Sequence, residues 1–233
     1  RNVPAVELQS KLKNKSFFDF LKQAGITGLK EEEFYGLALA LGGGELTMME
    51  LVRLYATLAN NGVLKSIRSI KNIKTPTNNN KNKRVLSEEA SFLILDILKN
   101  NPIPGALNLD TSYISKNDIA WKTGTSWAFR DAWAIGISGP YVLAVWVGNF
   151  NGKGNSAFIG RSAAGPLLFS IFDAILPNEG WKVENLLPKH KLNLKKVSVC
   201  EKTGDLSGKY CPKLVKSWFI PGVSPIKSSN IYR

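Results

Sequence analysis

The chain has 233 residues, of which 44% are hydrophobic and 21% charged, a balance that is ordinary for a globular protein with a substantial core. No apolar run is long enough for a membrane-spanning helix, and the opening Arg-Asn-Val-Pro carries no leader peptide, so we expect a segment of a longer protein. The net charge is +13, but the basic residues are mostly lysines in Asn-rich stretches without interleaved aromatics, which favours solvated loops or attraction to anionic polymers and lipid headgroups over a nucleic-acid partner.

The first part of the chain is predicted to be mostly helical. Asn2 to Pro4 is predicted to be extended, because the residue before a proline avoids the helical region. Ala5 to Ala24 has helical spacing in two pieces, and Gly25 to Gly28 is predicted to form a turn. Gly36 to Gly44 is small and apolar and ends in three glycines, which would permit a tight backbone approach.

Two amphipathic helices are predicted next. The first covers Thr47 to Asn60, with Thr47 as its N-cap, Glu50 three residues on, and Gly62 after its end. The second begins at Ser87, beyond a polar connection. Their inward faces are predicted to consist of Leu51, Leu54, Tyr55 and Leu58 in the first, and Phe92, Leu95 and Leu98 in the second.

Three consecutive strands are predicted after an irregular stretch. They cover Ile119 to Thr125, Ala132 to Ile137, and Tyr141 to Asn149, with a turn at Gly139-Pro140 between the last two. The short connections predict an antiparallel meander. Its first strand carries Lys-Thr-Gly-Thr where an ordinary core strand would carry Val or Ile.

The polar residues of this strand suit the binding of an extended peptide that ends in a carboxylate. Lys122 brings a cation, and the hydroxyls of Thr123 and Thr125 point to the same face. Gly124 lets another backbone approach closely, so a peptide could pair as an added strand. A phosphate-binding loop is excluded, because Trp121 stands where that motif needs glycine. A surface strand with an incidental lysine is the remaining alternative.

The end of the chain is predicted to hold a helix and then a separate segment. The helix covers Ser162 to Leu176, with apolar residues at Leu167, Leu168, Ile171, Phe172 and Ile175. Pro177 to Gly180 ends it, and the composition then becomes Lys-rich. We therefore expect a boundary near Trp181, with a domain at 1–180 and a separable linker and extension at 181–233.

The Trp121-Lys-Thr-Gly-Thr stretch, with Phe129-Arg-Asp-Ala-Trp-Ala-Ile-Gly and Val145-Trp-Val-Gly-Asn after it, resembles the penicillin-binding protein transpeptidases. The resemblance is strongest to the 1C-type bifunctional members, in which a glycosyltransferase precedes the transpeptidase. It extends to stretches beginning at Phe34, Tyr55 and Trp218, and so covers nearly the whole chain in order. It implies an α+β fold in which helices cover both faces of an antiparallel sheet, here as the C-terminal half of the domain.

The resemblance also implies a reaction. The family acylates a serine with the D-Ala-D-Ala end of a peptidoglycan stem peptide and passes the acyl group to an amine. Its cleft joins Ser-x-x-Lys, Ser-x-Asn and Lys-Thr-Gly motifs. Lys122-Thr123-Gly124 matches the third motif, and Asn2 matches the end of the second, whose serine would directly precede the chain. The nucleophile would lie further upstream, so this chain alone is expected to be inactive.

Each matching residue then has an implied role. Lys122 supplies positive potential and can join proton transfer, while Thr123 and Thr125 bind the carboxylate beside Gly124. The backbone N–H of Thr125 belongs to the oxyanion hole, and Asn2 orients the substrate amide. The implied partners are stem peptides, β-lactam antibiotics and the membrane, through an upstream anchor that places the protein on the extracytoplasmic side. No cofactor is implied.

Other serines and other functions are alternatives to this interpretation. Ser10 and Ser224 begin Ser-x-x-Lys strings, and Ser115-Lys116-Asn117 mimics the second motif, but all three are interpreted as chance matches because of their positions. A non-catalytic module, such as a β-lactam sensor or an inactive homologue that holds peptidoglycan, stays open. A slow β-lactamase is less favoured.

The cysteines complete the list of candidate sites. Cys200 and Cys211 could form a disulfide, which an oxidising envelope favours, or stay as free thiols. A zinc site is disfavoured, because His190 is the single histidine and paired ligand spacing is missing.

Overall fold

The structure is a computed structural model of the chain, and it describes residues 2–12, 16–68, 70, 82–104, 118–176, 180, 182, 191–206 and 210–228. The helices among these residues are α1 (Asn2–Ser10), α2 (Phe17–Gln23), α3 (Glu32–Tyr35), α4 (Met48–Ala59), α5 (Glu88–Lys99) and α6 (Gly165–Ile175). The strands are β1 (Val63–Leu64), β2 (Lys83–Arg84), β3 (Ala120–Thr125), β4 (Asp131–Ser138), β5 (Tyr141–Gly148), β6 (Lys195–Cys200) and β7 (Leu214–Phe219). Short 3-10 helices span Gly36–Leu41 and Trp127–Phe129, and a π-helical turn spans Gly160–Ala164.

The central sheet is an antiparallel meander in the order β3-β4-β5, which confirms the prediction. Helices cover both of its faces, so the α+β architecture is also as expected. The cluster on one face lies under α6 and includes Trp121, Ala132, Ala134, Leu168 and Phe172. The cluster on the opposite face lies under α4 and α5 and includes Leu58, Phe92, Leu95, Ala120 and Ile137.

The two amphipathic helices begin where the capping residues predicted. The Thr47 hydroxyl accepts a hydrogen bond from the backbone N–H of Glu50, and the Glu50 carboxylate accepts one from the backbone N–H of Thr47. The second of these bonds lowers the pKa of Glu50. Ser87 caps α5 through the N–H of Ala90. Each such cap stabilises its helix by about 1 kcal/mol.

The prediction for the start of the chain was wrong. Asn2 to Pro4 was expected to be extended, but α1 begins at Asn2 and includes Pro4. Pro4 lies in the first turn of the helix, where its missing N–H would have no intrahelical acceptor and its ring meets no preceding turn. The helical spacing that follows does divide into two pieces, α1 and α2.

Helix α6 starts later than predicted, and the set of residues that it buries differs from the predicted set. It was predicted from Ser162, whereas α6 starts at Gly165 after the π-helical turn. Leu168 and Phe172 are buried as predicted, but Leu167 is 47% exposed, and Phe169, outside the predicted face, is fully buried. Leu167, Leu168 and Phe169 are consecutive apolar residues, so the apolar pattern alone leaves open which side of α6 is buried.

The described part of the C-terminal segment contains an antiparallel hairpin of β6 and β7. A disulfide joins Cys200, at the end of β6, to Cys211. Leu192 is buried and Trp218 is half-buried, and both belong to the cluster under α5. The boundary near Trp181 stays a prediction, because Trp181 lies outside the described residues.

Two other sequence features, Ser115-Lys116-Asn117 and His190, also lie outside the described residues. Within the described ones, no helix combines the length and the apolar character that crossing a membrane requires. The same residues contain no cluster of three or more His, Cys, Asp or Glu side chains that could hold a metal ion.

Candidate active site

The Lys-Thr-Gly-Thr stretch occupies the outer strand of the central sheet. β3 pairs with β4 on one side, and no other strand that the structure describes pairs with its outer side. Trp121 is buried, whereas Lys122, Gly124 and Thr125 are exposed and Thr123 is half-buried. The C-terminal half of β3 is therefore an accessible strand edge, which is a surface that can pair with an added peptide strand.

The backbone groups at this edge belong to the odd-numbered residues of β3. The carbonyl oxygens of Trp121 and Thr123 accept hydrogen bonds from side chains, while the N–H of Ser126 bonds to Asp131 across the sheet. Since residues of an antiparallel edge strand alternate between bonding inward and facing outward, the N–H of Thr125 faces outward too. A donor at Thr125 is thus available to a ligand on the edge.

The charged and hydroxyl side chains lie on opposite faces of β3. Thr123 pairs with Ala134 and Thr125 with Ala132, so both hydroxyls point to the face under α6, on one side as predicted. Lys122 points to the other face, and its Nζ donates to the carbonyl oxygen of Thr123 at 2.7 Å. A ligand that meets the ammonium and both hydroxyls must therefore run along the strand edge.

Thr125 is held by a residue that the sequence interpretation missed. Its Oγ1 accepts a hydrogen bond of 2.9 Å from the backbone N–H of Gly160. A Cβ on Gly160 would lie 2.6 Å from the carbonyl oxygen of Trp133 and still closer to that of Gly124. Glycine is therefore required here, because both neighbours are backbone atoms. The available sequence pattern was a glycine two residues before a predicted helix, and glycines occur in that place for many other reasons.

The N-terminal half of the β3 edge is covered by a brace around Trp121. The Trp121 Nε1 donates to the carbonyl oxygen of Asn101 at 3.1 Å, and the Asn101 side chain donates to that of Trp121 at 3.2 Å. The Arg161 guanidinium lies 5.8 Å from the Trp121 ring centroid and donates to the carbonyl oxygen of Pro102 at 2.8 Å. An added strand can therefore reach β3 only beyond Trp121, beside Thr123 and Thr125.

The turn after β3 is strained and firmly anchored. Ala128 and Phe129 have φ values of 58° and 53°, which lie in the left-handed region that residues with a Cβ rarely adopt. The N–H of Asn155 donates to the carbonyl oxygen of Phe129 at 3.0 Å. Asp131 accepts a hydrogen bond from the Trp146 indole at 2.9 Å. Asp131 and Trp146 thus brace the strands.

The remaining candidate residues lie on other elements. Asn2 is exposed on α1, whose Gln9 side chain donates to the carbonyl oxygen of Gly36. Ser10 ends the same helix, and its hydroxyl donates to the carbonyl oxygen of Glu7. The Ser224 hydroxyl accepts the N–H of Ile220 in the turn after β7. The structure thus brings together Lys122 to Thr125, and places the two Ser-x-x-Lys serines in local backbone hydrogen bonds.

Two protein-family models match parts of the chain. Residues 1–148 match the family model for the penicillin binding protein transpeptidase domain, and residues 191–233 match that for the C-terminal domain of penicillin-binding protein 1A. Penicillin-binding protein 1C of Escherichia coli is 26% identical over 230 residues, which cover 96% of this chain and 28% of that relative. Penicillin-binding protein 1B of Buchnera aphidicola is 30% identical over 158 residues, which cover 65% of this chain and 21% of that relative.

The fold is also found among solved structures. The crystal structure of penicillin-binding protein 1A from Haemophilus influenzae aligns with a TM-score of 0.70 at 23% identity, over 98% of this chain and 40% of that chain. This likeness supports the fold. The chain spans less than a third of the length of the two relatives above.

Proposed function

Because the chain belongs to the penicillin-binding protein transpeptidase family, we propose that it is part of a peptidoglycan D,D-transpeptidase. In this reaction a serine hydroxyl attacks the carbonyl carbon of a D-Ala-D-Ala bond, the terminal D-Ala leaves, and an amine of a second strand takes the acyl group from the serine. The observation that carries the proposal is the open edge of β3, with Lys122 on one face and two threonine hydroxyls on the other.

The substrate would bind as an added strand beside Thr123 and Thr125, with its terminal carboxylate at the hydroxyls. Thr125 Oγ1 already accepts the N–H of Gly160, which leaves its own proton to be donated to the carboxylate. Lys122 uses one of its three N–H donors on the carbonyl oxygen of Thr123. Its charge stays at the edge, where it stabilises the carboxylate and favours loss of the serine proton.

The acylation step needs donors for the oxyanion that forms at the attacked carbonyl. The outward N–H of Thr125 is one such donor, and the N–H of the serine itself is the second. One oxyanion donor contributes roughly 3 kcal/mol to transition-state stabilisation. Asn2 would orient the amide of the substrate from the neighbouring motif.

In the complete protein, we propose, further segments precede these residues. The acylated serine belongs to a Ser-x-x-Lys motif that precedes these residues, and a glycosyltransferase domain and a membrane anchor precede that. The site works on the extracytoplasmic side on stem peptides that end in D-Ala-D-Ala, and β-lactams acylate the same serine. Residues 1–180 complete the transpeptidase domain, and 181–233 begin a C-terminal module.

Mapping the acylated residue tests this proposal. The complete protein is incubated with a fluorescent penicillin, digested and examined by mass spectrometry, beside the 233-residue chain alone. We expect one adduct on an upstream Ser-x-x-Lys serine and none on the short chain. An adduct on Ser10 or Ser224 would contradict the assignment. Acylation without cross-linking of stem peptides would favour a β-lactam sensor or another non-catalytic module.

A further inference from the structure

A side chain of β7, that of Trp218, connects the C-terminal hairpin to the transpeptidase core. Trp218 packs edge-to-face on Phe92 of α5, with ring centroids 5.4 Å apart, and its Nε1 donates to Asp96 Oδ2 at 2.9 Å. Phe92 is fully buried and shares a cluster with Ala120 and Ile137, which are paired residues of β3 and β4. The indole therefore rests on the side chain that supports the start of β3.

A series of half-buried side chains of alternating charge forms a second connection between Trp218 and β3. Asp96 receives the Trp218 indole on one oxygen and the Lys99 ammonium, at 3.1 Å, on the other. The Lys99 ammonium also lies 3.8 Å from Asp118, which in turn lies 3.4 Å from the ammonium of Lys182. The side chains of Asp96, Lys99 and Asp118 are only 20%, 18% and 19% exposed, so solvent screens these pairs less than surface pairs.

This second connection ends at Asp118, just before β3. Asp118 is two residues from Ala120, the first residue of β3, and four from Lys122. Its carbonyl oxygen accepts a hydrogen bond of 2.9 Å from the hydroxyl of Ser138, which is fully buried at the end of β4. Asp118 is thus held both by its side chain and by its backbone carbonyl. A movement of Asp118 would therefore move the start of β3.

We propose that Trp218 is a positioning residue for the transpeptidase site. Docked through this indole, the hairpin fixes α5 and the start of β3, and so aligns Lys122 and the N–H of Thr125 with the substrate. This inference rests on the proposed function and extends it, because it gives the C-terminal segment a part in acylation. It differs from the expectation that 181–233 is a separable extension.

The hairpin has further anchors, so Trp218 can be altered without detaching it. Leu192 is buried in the cluster under α5, and the N–H of Asn193 donates to the Glu89 carboxylate at 3.3 Å. Trp218→Phe keeps an aromatic ring against Phe92 and removes the donor to Asp96. Leu214→Ala is the matched control, because Leu214 lies on the same strand but is 52% exposed.

The first measurement is the acylation rate constant of the complete protein at saturating penicillin. It is made at a temperature well below the melting temperatures of the parental protein and of all variants, so that every protein is folded. Trp218→Ala should lower it roughly tenfold, the usual scale of coupling between distant sites, Trp218→Phe should lower it less, and Leu214→Ala should leave it unchanged. A residue with a purely structural role would lower the melting temperature and leave this rate constant at the parental value. That result would overturn the proposal, as would a variant that changes neither quantity.

The second measurement is backbone hydrogen exchange of residues 119–125 in the same proteins. Exchange should be faster in Trp218→Ala and parental in Leu214→Ala. This readout needs no acylation, so it separates the two proposals. If the parental protein is not acylated, the proposed function fails, while parental exchange in Trp218→Ala would still refute the positioning role and faster exchange would still support it.

Discussion

Gly160→Ala should damage both the stability and the activity of the transpeptidase site. The added Cβ would lie 2.6 Å from the carbonyl oxygen of Trp133 and closer still to that of Gly124, whereas ordinary contact begins at 3.4 Å. Either the π-helical turn or the C-terminal end of β3 must therefore move by about 1 Å. Such overpacking costs about 1–3 kcal/mol, or roughly 3–10 °C in melting temperature for a domain of this size. The same movement breaks the Gly160–Thr125 hydrogen bond and misplaces the Thr125 N–H.

The assay is the rate of acylation of the complete protein by a fluorescent penicillin, with the melting temperature measured in parallel. We expect a loss of roughly 100-fold, the scale of losing one oxyanion donor. Gly28→Ala is the stability control, because no atom lies within 4 Å of its added Cβ. Gly124→Ala separates the loss of stability from the loss of activity. The added Cβ meets only Trp133, at 3.6 Å, so this variant should fold normally, yet the Cβ should obstruct the substrate backbone. Parental acylation by Gly160→Ala would refute the link between Gly160 and the oxyanion site.

Two further changes test local features. Ala128→Gly should raise the free energy of unfolding by about 0.5 kcal/mol, because glycine adopts the φ of 58° without the steric cost that alanine pays, less its larger unfolded-state entropy; a decrease in thermal stability would contradict this. Cys200 and Cys211 should be bridged in protein recovered from the envelope, and Cys200→Ser should lower stability by roughly 3 kcal/mol, since the two residues are 11 positions apart. The intact mass after alkylation tests for the disulfide, and two alkylated thiols without reductant would rule it out. Thermal unfolding measures the loss of stability.

The central sheet could be predicted because the sequence signals that specify it lie close together along the chain. Apolar strands, a Gly139-Pro140 turn and short connections specify an antiparallel meander, and polar residues on one strand indicate the candidate site. The threonine hydroxyls share a face because strand side chains alternate. The same alternation places Lys122 on the other face, and the pairing with β4 then identifies the strand edge as the place where a ligand meets both.

The residues that hold the site could not be predicted in this way. Thr125 and Gly160 are 35 residues apart, and Asp96 and Trp218 are 122 apart, so no local pattern joins them. The buried face of α6 was misassigned around Phe169 because apolar residues occur on more than one side of this helix, and only its packing on the sheet decides which side is buried. Pro4 was misassigned because its effect depends on its place within the helix, which the sequence around it leaves open.

The role of Lys122 in acylation is tested most directly by comparing the acylation rates of the parental complete protein, Lys122→Ala and Lys153→Ala. Lys153 is an exposed lysine after β5, so its variant makes the same change of charge away from β3. We expect Lys122→Ala to lower the acylation rate roughly 100-fold or more at an unchanged melting temperature, while Lys153→Ala is acylated at the parental rate. Parental acylation and parental melting temperature in Lys122→Ala would contradict it, because the cation at the edge of β3 would then have no part in the reaction.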